Sequence, residues 1–515
     1  MLVRILNNQT LKFEQITQPE EDVIIKEFSI KHPRSIYIDT EMGNFDGWIR
    51  KYRYKTQTMS RALLGELISV CKKHGLPLNI KDDRPPPKYP APDPESIKDD
   101  ILPGIVLDPH QLRAAKACCR AECGLVSVPT GGGKSEIIAV IAKMYNCPTV
   151  IIAEQIVVIE QIKKRLELRD VVEEVGLFCC GKRPNDQQVI VGSIQSIIIP
   201  SNPPKKLKKD TPESYEAKMK GYKTRRKNAR TLREIIKKCD LLMVDECDKA
   251  TTRNYRKLFR YWYKGRRRYG FSGTCEDPAK PVENLNMKEN LGSIIARASR
   301  AELEAINRII PVTYTAMAFG DPSQKHNKAA YDIAENDHIV ENEKFHKLVS
   351  KLAIMKSNES DDHGVLILVE KINLGKALEE LIPGSKFIYG KTSKTKRRKI
   401  IEGFENRDIK VLIGGKIVKR GLDLNGGCES LIIATGGRLW SDFDQKVGRA
   451  VRQNKRGFSE IYDFYFLCNY YLYEHSRGRL KAIVNMGYPA KVIFPHVVLE
   501  AKKFIKSRFR IPKKK

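Results

Sequence analysis

Pro129-Thr130-Gly131-Gly132-Gly133-Lys134-Ser135 is the stretch best equipped for chemistry. Successive glycines let backbone N–H groups converge on a phosphate with no Cβ in the way. A helix starting beside Lys134 adds the positive end of its dipole. The Lys134 ammonium can then reach β/γ-phosphates, while the Ser135 hydroxyl can ligate Mg²⁺. The flanks suit this use, because residues 124–128 read as a short buried strand and 136–143 have helical apolar spacing. Val128 stands where the usual GxxxxGK[ST] pattern has its first glycine. A Gly-rich turn that merely precedes Lys-Ser is the bland alternative.

A second candidate lies downstream, where the apolar run 241–244 ends in Asp245-Glu246-Cys247-Asp248. Carboxylates at the C-terminal edge of a buried strand sit where open α/β sheets bind ligands. Asp245 is placed to hold Mg²⁺ and Glu246 to polarise an attacking water. Ser272-Gly273-Thr274 follows a further strand, and its hydroxyls are expected to link the two carboxylates to other parts of the site. Much later, Gln445 to Arg452 sets Arg449 and Arg452 three apart on one helical face. Arginines so placed can stabilise transition-state charge on a γ-phosphate. Taken alone, they would read as a surface pair.

Composition bounds the partners. The 515 residues are too many for one core. Lys and Arg total 93 against 62 acidic residues, giving a formal charge of +31 that favours a polyanion, most simply nucleic acid. None of the 12 cysteines falls in a CxxC pair, so buried free thiols in a reducing, cytoplasmic setting are expected. No apolar run approaches membrane-spanning length, and no secretory signal pattern opens the chain.

The elements that must position these residues fall into five stretches. Residues 1–83 read as a small α+β unit, with strands at 2–6, 35–39 and 48–55 and a helix at 61–74 that Ser60 can cap. Its ribbon at 48–55 mixes Trp48 with Arg50, Lys51, Arg53 and Lys55, and both phosphate contact and a solvated face fit it. Residues 84–99 hold a Pro-rich linker, read as a semi-rigid spacer. Residues 100–320 alternate strands and helices, which points to a parallel sheet with helices on both faces. The lysine- and arginine-rich stretch 203–239 interrupts them and reads as a mostly helical or partly mobile basic insertion. DNA contact is favoured for it over a solvated face, because so many like charges repel unless something neutralises them. Residues 321–470 form a second alternating unit, and 471–515 a helical, then basic, tail.

The order of these motifs resembles that of the superfamily 2 helicases of the DExD/H-box type, over about residues 105–470. Gln111 sits where that family has its adenine-reading glutamine, 129–135 resembles motif I, and Asp245 to Asp248 resembles motif II. Arg420-Gly421-Leu422-Asp423 is similar to motif V, and Gln445 to Arg452 matches the QxxGRxxR of motif VI. Gln161, and Ser193 with Gln195, stand at nucleic-acid-contacting motifs. Glu154-Gln155 departs from the usual Pro-Thr, as Gly415-Lys416 does from Thr-Asp.

The resemblance implies two tandem RecA-like parallel-sheet domains with ATP and Mg²⁺ in a cleft between them. Lys134, Ser135, Asp245, Glu246, Arg449 and Arg452 would do the chemistry there, with Gln111, Gly421, Asp423 and Gln445 helping to bind nucleotide. The stretch 43–50 is similar to the DNA-binding N-terminal domain of phage UvsW-like branch-migration helicases. That implies an enzyme acting on forks and Holliday junctions beside phage recombination or replication proteins. The basic, aromatic ribbon offers Trp48, Arg50 and Arg53 as DNA contacts, and a monomer is expected. Two other readings stay open, an RNA helicase or restriction-type translocase and an ATP-switched DNA-binding or annealing protein.

Overall fold

The computed structural model describes residues 1–32, 46–179, 181–200, 202–207, 211–276, 280–415, 427–437, 454 and 456–508. Runs such as Thr149–Ala153 and Leu241–Asp245 are buried along their whole length, the pattern of parallel strands covered on both faces. The chain divides into two compact units, residues 1–128 with 133–298, and residues 129–132 with 299–515.

In the first unit a seven-stranded sheet runs in the order Ile294–Arg297, Cys123–Ser127, Arg267–Ser272, Leu241–Asp245, Thr149–Ala153, Val189–Ser193, Gly176–Phe178. All of its neighbours pair in parallel. Leu125, Val150, Ile152, Val244 and Trp262 pack in one core under it. Fully burying a Val or Ile of this kind contributes about 1.5–3 kcal/mol. The second unit holds an eight-stranded sheet, parallel except for its last pair, in the order Lys386–Ile388, Val411–Gly414, Val365–Val369, Ser430–Ala434, Ser459–Phe466, Val312–Phe319, Ala490–Phe494, Val497–Glu500. These are the two RecA-like parallel-sheet domains the sequence pointed to.

The N-terminal stretch adds a four-stranded mixed sheet, Thr58–Ser60, Thr10–Glu14, Leu2–Ile5 and Asn79–Asp82, with the helices Gln18–Glu27 and Leu64–His74. Its core gathers Val3, Phe13, Ile24 and Leu67.

Several expectations are corrected. The strand Val312–Phe319 pairs with Ser459–Phe466 residue for residue, so the boundary placed at 320/321 falls near 298/299 instead. The tail, read as helical, contributes the strands Ala490–Phe494 and Val497–Glu500 to the second sheet. Ser60 precedes a 3₁₀ turn, Arg61–Leu63, and its hydroxyl donates to the Glu289 carbonyl at 2.7 Å rather than capping the helix. The ribbon 48–55 keeps strand form only over Trp48–Arg50. The strand expected at 35–39 lies outside the described residues.

The Pro-rich linker is docked, not a free spacer. Arg84 and Arg61 both donate to Glu122, and Arg266 joins them at 2.6 Å while also donating to the Pro85 carbonyl at 2.9 Å. Lys116 and Arg120 hold Glu95 at 2.7 and 2.5 Å.

Most of the basic insertion, Pro212–Lys238, is a 27-residue helix, with Thr211 Oγ1 accepting from the Ser214 N–H at 3.2 Å. Leu232 and Ile236 anchor it in the first sheet's core, and Tyr222 and Ala229 pack on Ile199.

Candidate functional site

Three neighbouring strands of the first sheet end together and deliver the candidate residues. Ser127 is in register with Ser272, and Phe271 with Asp245, so the glycine loop, Ser272-Gly273-Thr274 and Asp245-Glu246 all leave the same C-terminal edge. Val128 donates its N–H to the Ser272 carbonyl at 3.0 Å and is 1% exposed. It thus extends the strand pairing by one residue, a place where a buried β-branched side chain serves as well as glycine.

The loop then needs glycine twice. Gly131 and Gly133 have φ of 91° and 78°, in the left-handed region. Gly133 also precedes the helix Lys134–Tyr145, and a Cβ on it would overlap the Gln111 amide. Gln111 is fully buried near the start of the helix Pro109–Arg120. Its Oε1 accepts from the Asp108 N–H at 2.9 Å, half of a reciprocal capping box. The residue expected to read adenine thus packs directly under the phosphate loop.

Opposite the loop, Glu246 takes a left-handed φ of 51°, a conformation that costs energy without glycine and gathers at functional sites. Its Oε1 lies 3.6 Å from Lys134 Nζ. Asp245 is 7% exposed, and its Oδ1 has no hydrogen-bond partner among the described residues. Burial, and secondarily the Glu246 charge, push its carboxyl up to about 7 against the pull of Lys134. Asp248 is pushed to about 7 by burial and then by Glu246. Ser272 Oγ donates to Asp248 Oδ1 at 3.5 Å and accepts from the Thr274 N–H at 3.2 Å. The expected link from this hydroxyl to Asp245 and Glu246 therefore reaches Asp248 instead. Ser135 is half-buried in the first helical turn. Pro129, Thr130 and Gly132 complete the turn, Gly132 donating to the Pro129 carbonyl at 3.0 Å.

Sequence reasoning missed one pair. Lys249 donates to Glu154 at 2.8 Å, joining the residues after two adjacent strands. The signal was there: an acid in place of the family's Pro-Thr, and a lysine directly after the acidic run.

The expected nucleic-acid residues separate into places. Ser193 ends its strand, with Oγ 2.9 Å from Ser196 Oγ, and Gln195 is exposed beside it. Both line a cavity of about 420 Å³ that Glu154 also borders. Gln161 is exposed on the helix Ile156–Leu168. Trp48 and Arg50 are exposed on one face of their strand, with Arg50 paired to Asp46 at 2.6 Å, and Arg53 is exposed nearby. Lys51 instead bonds Glu289 and Asn286 at 2.6 and 2.5 Å, which removes it from any phosphate-facing ribbon. Gly421, Asp423, Gln445, Arg449 and Arg452 lie outside the described residues.

Among the described residues no helix is long and apolar enough to cross a membrane. The described cysteines are all free thiols and, Cys123 apart, buried.

Residues 104–277 match the family model described as the res subunit of type III restriction enzymes, and residues 343–454 match the helicase conserved C-terminal domain. No curated protein matches the chain. Among solved structures, T4 UvsW is similar at 15% identity over 96% of this chain and 99% of its own, with a TM-score of 0.43. S. cerevisiae Dbp5 bound to RNA and ADP BeF3 is similar at 14% identity over 75% and 94%, with a TM-score of 0.45. A DEAD box protein from the hyperthermophile Methanococcus jannaschii is similar at 16% identity over 77% and 93%, with a TM-score of 0.40. With these two domain models matched in order and two RecA-like sheets in its fold, the chain belongs to the superfamily 2 helicases, enzymes that bind nucleic acid and hydrolyse ATP.

Proposed function

We propose that the chain is an ATP-dependent DNA helicase that unwinds or branch-migrates forked and four-way DNA in recombination, repair and replication. The observation that carries the chemistry is Lys134 Nζ within 3.6 Å of Glu246 Oε1, beside a buried Asp245 with an unpartnered oxygen. Lys134 neutralises β/γ-phosphate charge, and the N–H groups of 131–135 cradle the phosphates. Glu246 accepts a hydrogen bond from the attacking water. Gln111 holds the loop from beneath. Gly421, Asp423 and Gln445 help to bind nucleotide, and Arg449 and Arg452 stabilise charge on the γ-phosphate, as the family resemblance implies.

The residues fit Mg²⁺. Among the described residues no cluster of three or more His, Cys, Asp or Glu side chains could hold a metal ion. Mg²⁺ bound with phosphates needs only one or two protein ligands, and the unpartnered Asp245 Oδ1 and the Ser135 hydroxyl supply them. When bound, the ion neutralises charge on the β/γ-phosphates.

Ser193, Gln195 and Gln161 contact the tracked strand, and Trp48, Arg50 and Arg53 contact DNA in the N-terminal unit of residues 1–83. The excess of 93 basic over 62 acidic residues supports a polyanionic track. The protein works as a monomer, beside phage recombination or replication proteins. ATP hydrolysis and strand separation, compared on forks, four-way junctions, plain DNA duplex and RNA duplex at two salt concentrations, test this. Stimulation by branched DNA above the other substrates is expected. Stimulation by RNA duplex alone would overturn the DNA assignment.

A further inference from the structure

The helix Pro212–Lys238 lines two cavities. On one side, Arg225 and Asn228 border the 420 Å³ cavity that Ser193 and Gln195 line, and Asn228 Oδ1 is buried without a partner among the described residues. On the next face, Arg226, Arg230 and Arg233 follow helical spacing and line a second cavity of about 240 Å³. Lys257 and Tyr261, from the helix Arg253–Tyr261, close it, and Ile199 borders both cavities.

The second cavity is built, not a chance gathering of solvated charges. Among the described residues its lining has four cationic side chains and no carboxylate. None of the four makes an ion pair among the described residues. Arg233 is fixed, with Nε and Nη2 donating to the Ile197 carbonyl at 3.2 and 3.0 Å and its guanidinium 4.4 Å from the Tyr261 ring centroid. Arg226 lies against the Tyr222 ring at 5.7 Å. Holding cations together in a concavity costs self-repulsion unless an anion shares it, and guanidinium groups suit phosphate geometry.

We infer that this cavity binds backbone phosphates of the nucleic acid that passes Ser193 and Gln195, so that the insertion helix extends the strand path past Ile199. The inference rests on the proposed nucleic-acid contact at Ser193 and Gln195. Its bonds are to phosphate, so they add affinity without reading sequence.

The test is equilibrium binding of a labelled single strand and a labelled fork across a salt series. It uses the full-length wild type, the variant R226Q/R230Q/K257Q, and the charge-matched control K220Q/K223Q/K227Q. The control lysines are exposed on the same helix and line neither cavity. For the cavity variant, Kd is expected to rise at least about tenfold, and the slope of log K against log salt to shrink by about 0.7–0.9 for each phosphate that the variant no longer neutralises. The control is expected to weaken binding less than about threefold. Arg230→Gln alone, at an exposed position, carries the test should the triple variant not fold, and its slope is expected to shrink by about 0.7–0.9. Equally weakened binding in both triple variants, or unchanged binding in the cavity variant, would overturn the inference. A wild type whose ATP hydrolysis ignores every nucleic acid would overturn the reading beneath it as well.

Discussion

Replacing Gly133 by alanine puts a side chain where the structure has room for none. The φ of 78° places an L-residue in the left-handed region, at a cost of about 1–2 kcal/mol. The new Cβ also overlaps the buried Gln111 amide. Pushing that amide aside breaks the 2.9 Å bond to the Asp108 N–H, and losing a cap costs about 1 kcal/mol. The sum of about 2–3 kcal/mol must be met whenever the loop adopts its phosphate-cradling form, which makes ATP binding about 30–150-fold weaker. Equilibrium titration of a fluorescent ATP analogue against Gly133→Ala, Gln111→Ala and the double variant separates the two parts. In the Gln111→Ala background the overlap is gone and only the backbone cost remains. Gly133→Ala should then cost about 1 kcal/mol less, a coupling of about fivefold. The same penalty in both backgrounds, or no penalty in either, would refute the packing of Gln111 beneath the loop.

Three further outcomes follow from the geometry. Glu122→Ala strips the shared partner from Arg61, Arg84 and Arg266, whose side chains are 7%, 4% and 13% exposed. Uncovering buried cations costs about 3–5 kcal/mol, less here because Asp82 still faces Arg84, and trypsin cleavage in the stretch 84–99 should rise. Asp248, with its carboxyl at about 7, holds a proton in the fold that it gives up in the unfolded chain. It therefore lowers stability as pH climbs from about 4 to about 7, and Asp248→Asn should flatten the fall of Tm over that window in metal-free buffer. Arg449→Ala and Arg452→Ala should each cut kcat by about 10³–10⁵ while leaving ATP affinity near wild type, measured by steady-state hydrolysis and nucleotide titration.

The local parts of the site were legible because their physics is local. A glycine turn before Lys134-Ser135, and an apolar strand ending in Asp245-Glu246, each carry their meaning within a few residues, and the sheet edge brings them together. What could not be read depends on partners far along the chain. Lys51 looked like a phosphate contact until Glu289, 238 residues away, took it. The strand Val312–Phe319 looks alike in either sheet, and only its register with Ser459–Phe466 assigns it to the second. Glu122 drew no notice as a lone acid, yet arginines from the N-terminal unit, the linker and the residue before the strand Arg267–Ser272 converge on it. The basic stretch 203–239 showed its charge but not its shape, because the cavity beside it needs Lys257 and Tyr261 from another helix.

The most direct measurement is nucleic-acid-stimulated ATP hydrolysis by Glu246→Gln, beside its ATP affinity. Retained binding with hydrolysis lowered by about 10²–10⁴ is the expected result, since the amide keeps the side chain's shape and loses only the carboxylate that positions water. Hydrolysis near the wild-type rate would contradict the site at the sheet edge.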